Sequence, residues 1–193
     1  MYRGCSQGIK ASELHKKKVL TFYKERDETA RQNWLLQLLS IPEDTRVFVD
    51  ETGFCEFLFR DKCRCKRGEN VCIGVPGRRF ARTNIVAGLQ NGRLISPLEY
   101  NGTTDHIVFE FWFSEMLLPS IPAGSTIIMD NATFHRKKIL TELALEAKCN
   151  VLFLPPYSPD YNPIEKKWAN MKKYIRNYGY KHENFQYAIN ETF

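Results

Sequence analysis

Three carboxylates carry the chemistry this chain is equipped for. Asp50 closes the apolar run Arg46-Val-Phe-Val-Asp50, and Asp130 closes Ser125-Thr-Ile-Ile-Met-Asp130. Glu165 follows a third run, Val151 to Leu154, across the segment Pro155-Pro-Tyr-Ser-Pro-Asp-Tyr-Asn-Pro-Ile-Glu165. Each run is short and apolar, as a buried strand is, and open α/β sheets place their sites beyond strand ends. Acids brought together there repel one another unless a cation lies between them. Oxygen-only ligands favour Mg²⁺ or Mn²⁺ over softer metals. Glu165 has a second reading: Asn162-x-x-Glu165 is also a capping box, in which the acid binds only a backbone N–H.

Other elements must hold these acids in place. Pro155, Pro156 and Pro159 can join neither a ladder nor a helix interior, so the third acid follows a rigid extended loop. Asn162 stands where an N-cap belongs, with Pro163 at the first helical position. The helix that follows buries Ile164, Trp168, Met171 and Ile175. An amphipathic helix is expected over Asp27 to Leu39, with Ala30, Trp34, Leu35, Leu38 and Leu39 on its apolar side. Val47 to Asp50 and Phe54 to Phe59 read as two strand segments around a Glu51-Thr52-Gly53 turn. Neighbours in an extended chain face opposite ways, so only one of Asp50 and Glu51 reaches a metal site. Asn91-Gly92 marks a hairpin between Thr83–Gln90 and Arg93–Leu98. A helix is expected over Thr104 to Leu118, N-capped by Asp105, with Ile107, Val108, Phe111, Trp112 and Met116 inward. Thr126 to Asp130 is the next strand, Arg136 to Ala147 the next helix and Val151 to Leu154 the last strand. Phe185 to Phe193 reads as a short closing helix. The resulting order, β-β-β-α-β-α-β-α, is that of an α/β protein.

Three blocks of this chain resemble the catalytic blocks of DDE transposases of the mariner-like group, which includes many bacterial insertion-sequence transposases. They are Val47-Phe-Val-Asp50-Glu-Thr-Gly-Phe54, Ile127-Ile-Met-Asp130-Asn-Ala-Thr-Phe-His135 and Leu154-Pro-Pro-Tyr-Ser-Pro-Asp-Tyr-Asn-Pro-Ile-Glu165. The last is the most specific, and 34 residues separate the second acid from the third. The resemblance implies a ribonuclease-H-like mixed sheet of about five strands with flanking helices. It assigns Asp50, Asp130 and Glu165 as catalytic metal ligands for two Mg²⁺ or Mn²⁺ ions, with Asp50 bridging. Glu51, Asn131, His135 and Asn162 become supporting residues, His135 near the scissile phosphate. The implied reaction is cleavage and strand transfer at the terminal repeats of a mobile element, into a TA target. The rivals are a plain nuclease of the same fold and an inactive DNA-binding or dimerisation fragment of a decayed transposase.

Bulk composition agrees with a DNA-acting globular protein without proving one. The 193 residues carry a formal net charge of +6, with 43% hydrophobic and 26% charged residues, enough for a core and a modest basic excess. The basic residues that could meet phosphates are Lys16 to Lys18, Arg78, Arg79 and Arg82, and Lys166, Lys167, Lys172 and Lys173. No apolar run is long enough to span a bilayer, and the first residues lack a signal-peptide core, so a cytoplasmic, nucleoid-associated protein with reduced cysteines is expected. Cys63-x-Cys65 and Cys72 offer three of the four ligands a structural zinc takes. Residues 27–193 are read as the catalytic domain. Residues 1–26 are read as the linker after a helix-turn-helix region of the family that this sequence does not contain. Partners expected are double-stranded DNA, a second copy of the chain, and a separate N-terminal DNA-binding part.

Overall fold

A computed structural model describes residues 24–55, 70, 72, 77, 82–178 and 185–193. Its frame is one five-stranded mixed sheet in the order β3-β2-β1-β4-β5. The strands are β1 (Arg46–Cys55), β2 (Arg82–Gln90), β3 (Arg93–Asn101), β4 (Thr126–Met129) and β5 (Asn150–Phe153). The first three form an antiparallel meander, and β4 and β5 add to the other edge of β1 in parallel.

The first correction concerns β1. It runs unbroken through Glu51, Thr52 and Gly53, where the sequence suggested a turn. The reason is pairing: β2 bonds to β1 from Phe48 to Cys55. Gly53 leaves room for the Arg82 guanidinium instead of turning the chain: a Cβ there would stand 2.1 Å from Nε of Arg82. The expected strand from Phe54 therefore continues β1 as far as Cys55, and Glu56 to Phe59 lie outside the described residues. Asp50 consequently stands mid-strand. It lies just past the point where β4 stops pairing, since β4 contacts β1 only from Arg46 to Phe48.

Two cores cover the two faces. Val47, Val49, Ile127 and Met129 pack on one side with Phe109, Trp112, Phe113, Leu117 and Leu140. These belong to α2 (His106–Trp112), the turn of wider helix that continues it (Phe113–Leu117), and α4 (Lys137–Glu146), with the short α3 (Leu118–Ser120) between. Ile85, Ala87 and Phe54 pack on the other side with Ile164, Trp168, Met171 and Ile175 of α5 (Ile164–Tyr178) and Ile189 of α6 (Phe185–Asn190). Asp105 caps α2 as expected, accepting from the amide of Val108 at 2.9 Å. The inward face of α2 differs, however: Ile107 and Phe111 are exposed, whereas Phe109, Trp112, Phe113 and Leu117 are fully buried. Ile107 and Phe111 lie beside the row His106, Glu110 and Ser114, so apolar residues fall on both the inner and the outer side of the helix.

Helix α1 (Glu28–Leu39) shows a similar shift. Trp34 is buried as expected, but Leu35 and Leu39 are exposed and Arg31 is buried in their place. The helix rests on the sheet through Trp34 and Leu38 and turns Arg31 toward Asp160 and Tyr161 of the loop before α5. Trp34 packs with Leu154 and Ile128, while Leu38 adds from the edge.

Candidate active site

Strand register brings the first two acids together. Phe48 pairs with Ile128 in parallel, so two residues further on Asp50 and Asp130 point to the same face of neighbouring strands. Glu165 arrives from the first turn of α5. All three line one cleft of about 440 Å³, together with Asn131, Asn162 and the Pro155–Pro159 loop. Tyr157 of that loop is half exposed with φ 56°, a left-handed conformation uncommon outside glycine.

The capping-box reading of Glu165 does not describe this geometry. The side chain of Asn162 donates to the carbonyl of Val49 at 3.1 Å, and the backbone amide of Asn162 is taken by the carbonyl of Pro159 at 3.0 Å. Asn162 thus ties the start of α5 to β1, one residue before Asp50. A second tie follows six residues later: indole Nε1 of Trp168 donates to Oδ2 of Asp50 at 3.0 Å. By pattern Trp168 reads only as core; its spacing of three residues from Glu165 is the signal that places it beside the site.

Asp130 is held differently. Its Oδ1 accepts from the amide of Ala132 at 3.0 Å and stands 3.3 Å from Nδ1 of His135. The other nitrogen of His135 lies 3.2 Å from Oε1 of Glu51. The imidazole side chain is only 1% exposed, between Phe109 and Phe134 with ring centroids at 4.2 and 4.5 Å. Glu51 does not line the cleft but meets His135, as alternation along a strand requires. Burial works against charge on His135, yet the hydrogen bonds to Asp130 and Glu51 prevail and raise it to about 9. Burial, the largest single effect, likewise pushes Asp130 up, but the bond from His135, the bond from the Ala132 amide and the charge of His135 together leave its carboxyl below the usual range. Asn131 donates to the carbonyl of Leu154 at 2.5 Å and so joins the Asp130 loop to the proline loop.

Asp50 has no such counter-charge. Burial first, then the neighbouring charges of Glu51, Glu165 and Asp130, push its carboxyl up to about 8. A hard divalent cation is the group that would reverse each of these effects at once, and carboxylate oxygens are its preferred donors. Among the described residues no three His, Cys, Asp or Glu side chains stand close enough to grip one ion as they are. The acids therefore surround a cleft rather than a closed cage.

The expected DNA contacts divide. Lys16 to Lys18, Arg78 and Arg79 lie outside the described residues, as do Cys63 and Cys65; Cys72 is exposed. Arg82 lies across Gly53 and donates to Asn84 at 2.9 Å. Lys166 and Lys173 are exposed, while Lys167 and Lys172 are half-buried, with Lys172 Nζ 5.7 Å from the centre of the Phe54 ring. Seven residues apart, Lys172 and Glu165 share one line of α5. No described helix is long and apolar enough to cross a membrane.

Sheet order, acids and helices together define a ribonuclease-H-like nuclease fold. The model of the DDE superfamily endonuclease family matches residues 45–186, and the chain belongs to that family. No curated protein sequence matches the chain. Among solved structures it resembles the Mos1 transposase paired-end complex with left transposon end, at 17% identity and TM-score 0.66, over 84% of this chain and 54% of that one. It also resembles the mariner Mos1 paired end complex with Mg, at 15% identity and TM-score 0.62, over 93% and 64%. The catalytic domain of Mos1 mariner transposase matches over 91% of both chains, at 15% identity and TM-score 0.57. The chain thus spans little more than half to under two thirds of the longer Mos1 chains, and its fold is that of their catalytic domain.

Proposed function

We propose that residues 27–193 form the catalytic domain of a mariner-like transposase, cutting DNA at the ends of an insertion sequence and joining the freed 3′ ends to a new target. The observation that carries this reading is the convergence of Asp50, Asp130 and Glu165, from three separate segments, on one cleft, within a chain of the DDE endonuclease family. Asp50, Asp130 and Glu165 would hold two Mg²⁺ or Mn²⁺ ions, with Asp50 shared between them. Bound there, the ions supply activation of the attacking oxygen and stabilisation of the leaving one. The chain's own residues do the rest. Trp168 and Asn162 set the distance between α5 and β1. His135 orients Asp130 from behind, so its contribution to phosphate chemistry is indirect. Lys166, Lys167, Lys172 and Lys173 on α5, with Arg78, Arg79 and Arg82, supply phosphate contacts that carry no base readout.

In this reading residues 1–26 are a linker, and base readout at the terminal repeats comes from a helix-turn-helix region in cis or on a separate partner. A second copy of the chain pairs the two ends, and the work takes place at the nucleoid. The test is nicking and strand joining on supercoiled plasmid DNA with Mg²⁺, Mn²⁺ or EDTA. Metal-dependent nicking that is lost in Asp50→Asn supports the reading. Nicking without joining would point to a plain nuclease. DNA binding with no nicking in either metal would favour the inactive fragment.

A further inference from the structure

The mechanism above leaves unused a buried cation outside the cleft. Arg31 of α1 keeps only 5% of its side chain exposed. It forks onto Asp160 through Nη1–Oδ1 at 3.0 Å and Nη2–Oδ2 at 2.7 Å, and its guanidinium carbon lies 3.9 Å above the Tyr161 ring. Trp34, one turn along α1, stacks on the same ring at 5.2 Å with planes 11° apart. Asp160 and Tyr161 form the short turn Pro159–Tyr161 directly before Asn162. Asn162 grips Val49, and its carbonyl receives the amide of Glu165 at 3.2 Å. The proline-rich loop has no ladder to hold it, so these contacts are what set its exit into α5.

We infer that Arg31 is a positioning residue for Glu165, acting through Asp160 and Tyr161, and that α1 is the brace that holds the third acid at the cleft. Exposed ion pairs seldom matter, but this arginine is buried and engages both carboxylate oxygens in a planar fork that lysine cannot reproduce. An apolar side chain of similar length would fill the same space and could even stabilise the fold. Arginine at this place is accounted for by the geometry it imposes. The metal-binding consequence rests on the functional reading above; the positioning itself does not.

The experiment compares the full chain with Arg31→Lys, Arg31→Met, Asp160→Asn and, as a stability control on the opposite core, Leu140→Ala. Asp160 is 53% exposed at its side chain, so its variant keeps the test open even if Arg31→Met folds poorly. Two readouts are taken: amide hydrogen exchange at Asn162, Glu165 and Lys166, and Mn²⁺ binding followed by electron paramagnetic resonance. Arg31→Met and Asp160→Asn are expected to speed exchange at those three amides and to weaken Mn²⁺ binding about tenfold, the scale of lost supports to metal ligands. Arg31→Lys should fall between. Leu140→Ala should lower the melting temperature and change neither local readout. Loop exchange at the wild-type rate in both Arg31→Met and Asp160→Asn overturns the inference. Faster exchange with unchanged Mn²⁺ binding overturns its link to the acid. If the wild-type chain takes up no Mn²⁺, the functional reading fails, and loop exchange alone still decides the positioning.

Discussion

Asp50 on β1 and Asp130 just past the end of β4 face the same cleft, yet they are supported in opposite ways. Asp130 carries its counter-charge with it: His135 sits behind it and links it to Glu51 on β1. Asp50 receives uncharged donors, the indole N–H of Trp168 and the backbone amide of Glu51, and its burial beside three other acids leaves its carboxyl at about 8. The contrast teaches where charge is still missing. One side of the cleft is electrostatically complete in the bare protein, whereas the other is complete only when a cation arrives.

Replacing Asp50 breaks the comparison most severely. Asp50→Asn should take plasmid nicking below detection, because a neutral amide cannot bridge two cations. The same change should stabilise the metal-free fold at neutral pH. The sign follows from the raised carboxyl: the unfolded chain ionises near 3.8 and the folded one near 8, so stability is fully present below pH 3.8 and declines as pH climbs toward 8. Melting curves in EDTA from pH 4 to 6 should therefore fall for the wild type and flatten in Asp50→Asn, whereas above pH 6.5 both should fall as the stabilisation carried by His135, raised to about 9, is lost. A parallel fall in both from pH 4 to 6 would assign the loss to another group.

His135→Gln attacks the opposite side. It removes a buried bridge between two carboxylates, and a loss of about 3 kcal/mol is expected, the scale for breaking one partner of a buried pair. Denaturant midpoints would show it. A change within about 0.5 kcal/mol, the range of ordinary surface substitutions, would mean that Asp130 and Glu51 need no counter-charge.

Trp168→Phe sharpens the comparison without emptying the core. It deletes the one side-chain donor described for Asp50 and keeps an aromatic ring, so about 1–2 kcal/mol of stability should go. The nicking rate should drop while DNA binding holds. An unchanged rate would reduce Trp168 to packing.

The smallest effects belong to the basic line on α5. Lys172→Ala and Lys173→Ala should each reduce the salt slope of DNA binding by about one contact, uniformly across sequences. Discrimination between terminal-repeat and scrambled DNA in a competition assay should not change. A variant that altered this discrimination would place base readout on α5.

Much of this could be read from residue order. Short-range pattern gave the strand runs that carry the acids, the hairpin at Asn91-Gly92, the cap at Asp105 and the proline loop, because each depends on backbone preferences of a few neighbouring residues. The three motif blocks carried the family. The continuity of β1 through Gly53 was not legible, since it depends on β2 pairing alongside. Nor was the inward face of α2, where Ile107 and Phe111 stay exposed beside His106 and Glu110.

The sequence by itself determined which acids the protein has, the rigid segment ahead of Glu165 and the alternation that separates Asp50 from Glu51. Only the tertiary structure decided what stands behind each acid. Trp168 reaches Asp50, His135 joins Asp130 to Glu51, and Arg31 holds Asp160 across 129 positions of chain. Hydrogen bonds and charge pairs depend on distance in space, and chains folded into a sheet bring together residues whose separation along the sequence gives no hint of contact.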